Sequence, residues 1–128
     1  MDETRLTPIR KNAELVIATL GPESGIAFGL NRESIAWAET FIENQRGGAE
    51  ADGLSPVLAC FLGEAIIAAT GGAWADDPAH GLGVRFPNSD WCFPFAKVAK
   101  QFERGKAAGD GVLGFYDASL ALAKAKRR

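Results

Sequence analysis

The chain has 128 residues, 47% of them apolar and 23% charged, with 14 Lys/Arg against 16 Asp/Glu and a single histidine. That is enough chain for one compact core and too apolar a balance for a disordered one. The lone His80, and two cysteines as far apart as Cys60 and Cys92, exclude a CxxC pair and any Cys/His knuckle; both thiols read as buried and reduced.

Ile9, Ala13, Val16 and Leu20 recur at helical spacing and predict a first helix. Thr7 is the expected cap, Pro8 a first-turn residue and Gly21-Pro22 the stop. Asn31 caps a second helix with Glu33 in its first turn and Ile35, Ala38, Phe41, Ile42 and Gln45 on one stripe, while Trp37 lies off it. After a loop over 47–53, Ser55 and Pro56 open a third helix that runs to Gly71-Gly72. It is apolar nearly all round, which makes the stretch near 56–70 the central helix of the domain.

Three short strands follow. Ala73 to Asp76 is the first, Leu82, Val84 and Phe86 alternate in the second, and Trp91-Cys92-Phe93 returns after the turn Pro87-Asn88-Ser89-Asp90. Pro94 ends the strand and opens a helix with Phe95, Val98 and Phe102 on one face, stopped at Gly105. Asp110 is the expected cap of a last helix bearing Leu113, Tyr116 and Leu120. The fold class is α+β: about five helices packed around a small three-stranded antiparallel sheet, one domain over 1–128, with the first few residues and 124–128 frayed.

The segment LGEAIIAATGGAW, then LGVRF, then FPFAKVAKQFERG resembles a family of small bacterial proteins and domains of unknown function. The matching residues are Leu62, Gly63, Glu64, Gly71, Gly72, Trp74, Phe93, Pro94, Phe95, Lys97 and Val98, within about 32–118. The resemblance implies a fold and a bacterial cytoplasmic setting, and no chemistry.

Glu64, a carboxylate on an apolar helix, is the one candidate general acid or base, with Arg85, Lys97 or His80 assisting. The competing reading makes it a structural acceptor for the hairpin, Arg85 or Lys97. Asp76, Asp77 and His80 carry metal-ligand chemistry but equally describe a polar turn, so no metal and no cofactor is expected. Triads lack parts, and the glycine loops lack a phosphate-binding lysine. The aromatics cluster at the hairpin. Strand alternation assigns Phe86 and Phe93 to the core and leaves Trp74 and Trp91 open between core and contact surface.

Charge is unevenly spread: residues 1–96 carry 6 Lys/Arg and 13 Asp/Glu, residues 97–128 carry 8 and 3. A basic C-terminus (Lys124, Lys126, Arg127, Arg128) without interleaved aromatics gives only a weak anion or nucleic-acid reading. No run is expected to cross a bilayer, because the apolar stretch Val57 to Thr70 is short and interrupted by Gly63 and Glu64. The polar, acidic N-terminus is unlike a secretory leader, so a cytoplasmic protein is expected. The expectation is a non-catalytic interaction module, immunity- or antitoxin-like by size and acidity, or homodimeric. Its partner is another protein or a second copy, with Trp74, Arg85, Trp91 and Lys97 at the contact. A small Glu64 enzyme is the alternative.

Overall fold

The computed structural model describes residues 1–126; the expected fraying of Arg127 and Arg128 lies outside them. In chain order the elements are α1 (Glu3–Ser24), α2 (Arg32–Gln45), α3 (Ala51–Thr70), β1 (Ala73–Asp77), β2 (Gly81–Arg85), β3 (Trp91–Cys92), α4 (Pro94–Arg104) and α5 (Val112–Lys124), with a 3₁₀ turn at Lys106–Ala108 before α5. The sheet is an antiparallel meander in the order β1-β2-β3. The α+β expectation therefore stands as written.

α3 lies at the centre, packed by α1 on one side and by α4 and α5 on the other. Leu58 to Gly63, Ala65 and Ile66 are all buried along it. It is longer than its capping signals imply. Ser55 and Pro56 sit inside it, because one extra turn carries Leu54 into contact with the core. At 20 residues this helix is long and apolar enough, by length and composition, to cross a membrane, which corrects the expectation that it is too short. Here that apolar surface forms the centre of the domain. Gly71 closes it in the left-handed conformation, φ 75°, which glycine adopts without a Cβ penalty.

α1 also overruns its punctuation. It starts at Glu3, where the Asp2 side chain accepts from the Arg5 N–H, and it contains both Pro8 and Pro22. Each proline forgoes one backbone bond. Burial of Ile9, Ala13, Val16 and Leu20 on one stripe holds the helix through both, and the expected loose N-terminus is helical. Asn31 caps α2 through a 2.9 Å bond from Ser34 N–H to its Oδ1, as its side chain predicts. Trp37, off the apolar stripe, is half-buried between Phe28 (edge-on, 5.7 Å) and Phe41 (stacked, 5.8 Å).

Two polar side chains fasten the second half. Gln101 is fully buried on α4. Its amide nitrogen donates to Glu39 O at 3.0 Å and to Glu43 Oε2 at 2.9 Å, and its Oε1 accepts from Val112 N–H at 2.9 Å. One residue thus joins α2 to α4 and caps α5 from another helix. Asp110, expected to be that cap, instead holds Lys97 at 3.3 Å. α5 has no cap side chain of its own, so Gln101 fills a need that the sequence immediately before α5 leaves open.

Candidate functional site

The sheet register sorts the hairpin residues. Trp74 pairs with Val84 and Val84 with Cys92, so these three share the inner face; Arg85 pairs with Trp91 on the outer face. Trp74 is 4% exposed. Its ring runs across Gly63, where an added Cβ would lie 2.0 Å from the ring tip, and its Nε1 donates to Glu64 Oε2 at 2.8 Å. The Leu-Gly-Glu and Gly-Gly-x-Trp elements are therefore one packing device: Gly63 opens a slot, Trp74 fills it, and Glu64 takes the indole N–H. Trp74 is a core residue.

Glu64 consequently has the structural partner that the hairpin reading gives it. Its proposed assistants go elsewhere. Arg85 donates to Ser89 Oγ at 3.1 Å, Lys97 pairs with Asp110, and His80 Nδ1 lies 2.6 Å from Asp77 Oδ2. Asp76 and Asp77 are consecutive on β1 and so project to opposite faces, Asp76 toward Arg5 and Asp77 toward His80. Among the described residues, no three His, Cys, Asp or Glu side chains gather where a metal could sit.

Trp91, Lys97 and His80 do converge. Together with Cys92, Phe93, Ala96, Lys100, Phe115, Ala118, Ser119 and Leu122 they line an open cleft of about 520 Å³ between the hairpin, α4 and α5. Trp91 and Phe93 are both half-buried, and their rings lie parallel within 2° at 6.0 Å, forming a ledge; His80 meets Phe93 at 5.2 Å. Phe93 is thus a cleft wall, whereas Phe86, 2% exposed, is core. Ala96 and Ala118 leave space opposite the ledge, and Leu122 is 40% exposed at its end.

The polar groups of the cleft are unequal. Lys97 is committed: its Nζ reaches Asp110 and lies 5.9 Å from the centre of the Phe115 ring. Lys100 is exposed on the rim and has no ion pair among the described residues. Burial pushes the Cys92 thiol up to about 11, against a smaller opposing effect of Ser119, so it is not a nucleophile at neutral pH. Burial likewise raises Cys60.

The chain matches no family model, no curated protein and no solved structure. The sequence points to Trp91 and Lys97 at one contact, and both line this cleft, but it groups them with Trp74 and Arg85, which do not, and assigns His80 to Glu64 or to a turn. Phe115, Ala118 and Leu122, which lie on α5, went unnoticed. Their spacing, with i, i+3 and i+7 on one helix face, is a signal that could have been read.

Proposed function

We propose that this protein is a non-catalytic recognition module whose contact surface is the cleft between the hairpin, α4 and α5, and whose partner is another protein. The observation that supports this is the ledge of Trp91 and Phe93, half-exposed aromatics facing an open cleft with a free lysine at its rim. Aromatic side chains are enriched at protein contacts, and Trp is among the few residue types that dominate their binding energy. A Glu64 enzyme has less support, because the bond from Trp74 gives that carboxylate a structural role and Lys97 and His80 lie in a different cavity. A bacterial cytoplasmic setting, on the resemblance noted above, and an immunity- or antitoxin-like role, on size and acidity, belong to the same proposal.

A photo-cross-linking residue at Ala96, inside the cleft, tests the reading in the protein's own cells, with the exposed Ala68 of α3 as control. The expected result is one adduct of discrete mass at position 96 and none at 68. An adduct of twice the chain mass would make the partner a second copy. No adduct at 96, or the same smear at both positions, would sink the proposal.

A further inference from the structure

We infer that the segment this cleft takes from its partner is acidic and carries an aromatic side chain, an inference that rests on the cleft being the contact surface. The lining residues include Lys97, Lys100 and His80 and not one Asp or Glu. His80 is tethered to Asp77 and Lys97 to Asp110, which leaves Lys100 as the lining cation with no ion pair among the described residues. Its charge stands beside an apolar trough. Trp91, Phe93 and Phe115 form the walls, and Ala96 and Ala118 are too small to fill the space between them. A planar ring inserted there stacks on the ledge, and a carboxylate flanking it in the same chain reaches Lys100.

The long-range field agrees. Among the described residues, 97–126 carry 6 Lys/Arg and 3 Asp/Glu, whereas 1–96 carry 6 and 13. An acidic segment is therefore repelled by most of the molecule and drawn to the α4–α5 side. Single-stranded nucleic acid also offers rings and negative charge. It requires several phosphates to be neutralised at once, and the cleft has one uncommitted lysine on a chain of net charge −2.

The test is an amide-NMR titration of the whole chain with an end-capped Asp-Glu-Phe-Asp-Glu peptide. Its controls are Asn-Gln-Phe-Asn-Gln, Asp-Glu-Ala-Asp-Glu and a thymidine decanucleotide. The acidic phenylalanine peptide should shift the cleft residues and bind at least about ten-fold tighter than either peptide control, and Lys100→Glu should remove about that factor. Equal binding of the neutral phenylalanine peptide, or of the alanine peptide, would overturn the inference. So would the absence of peptide binding, or a nucleotide that binds more tightly. If the peptides fail while the position-96 cross-link persists, the ligand chemistry is wrong and the contact surface stands. If both fail, the contact surface falls too.

Discussion

Lys100 and Gln101 are neighbours on α4 and face opposite environments. Gln101 points inward, where it is fully buried and each end of its amide is bonded: to the Glu39 carbonyl, to Glu43 and to the N–H of Val112. Lys100 points outward onto the rim of the aromatic cleft, with no ion pair among the described residues. On the inner face, polarity is consumed in joining three helices. On the outer face, both polarity and apolar surface are left over. The difference gives a practical rule: side chains already satisfied within the fold explain its architecture, and unsatisfied ones standing beside half-buried aromatics indicate where it meets something else.

The inner face should be the more fragile. Gln101→Leu keeps the volume roughly constant but leaves the Val112 N–H and the Glu39 carbonyl without the amide, and it should cost about 3 kcal/mol in chemical denaturation. The same variant sharpens the comparison through pH. The Gln101 amide, followed by the Lys106 backbone N–H, holds the Glu43 carboxyl below its ordinary value. A depressed carboxyl stabilises the fold above its unfolded pKa, and that contribution is lost as pH falls through the lower folded value. Denaturation midpoints between about pH 5 and pH 3 should therefore fall less steeply in Gln101→Leu than in the parent. Parallel curves would show that Gln101 does not hold Glu43.

Next in size comes the slot under Trp74. Gly63→Ala improves intrinsic helix propensity by about 1 kcal/mol, yet the new Cβ would lie 2.0 Å from the Trp74 ring. The ring is held by Glu64 and cannot simply swing aside, so the variant should lose about 2 kcal/mol net. A stabilised Gly63→Ala protein would mean that the hairpin does not rest on α3 in this way. Glu64→Gln should be much milder, below about 1 kcal/mol, because an amide oxygen still accepts the indole N–H. A loss of biological activity in Glu64→Gln with stability unchanged would revive the acid/base alternative.

Much of this was readable from the chain. The α+β class, the hairpin, the Asn31 cap and the Pro94 entry to α4 follow from local alternation and capping chemistry, which act within a few residues. Helix starts were less readable. Pro8 and Pro56 look like first-turn residues, but burial of Leu6 and Leu54 against the core extends each helix N-terminally past its proline. Gln101 was legible by position and hidden by chemistry: Pro94, Val98 and Gln101 fall at i, i+4 and i+7 on the buried face, yet a glutamine does not announce itself as core. The cleft was half legible. Trp91 and Lys97 stood out as residue types, but only tertiary packing sets α5 against β3.

The smallest effect on the fold should come from the outer face, and its smallness is informative. Lys100→Glu changes an exposed side chain that holds no ion pair among the described residues, so stability should move by no more than about 0.5 kcal/mol. Lys97 supplies the contrast three residues earlier. It is bonded to Asp110 with only 18% of its side chain exposed, and Lys97→Glu would set two carboxylates against each other where α4 meets the start of α5. That variant should destabilise measurably, and its binding phenotype would be uninterpretable. A Lys100→Glu protein with unaltered denaturation and lost cross-linking at position 96 therefore separates recognition from folding. A large stability loss in that variant would place Lys100 in the structural set with Gln101, and the contrast between the two faces of α4 would collapse.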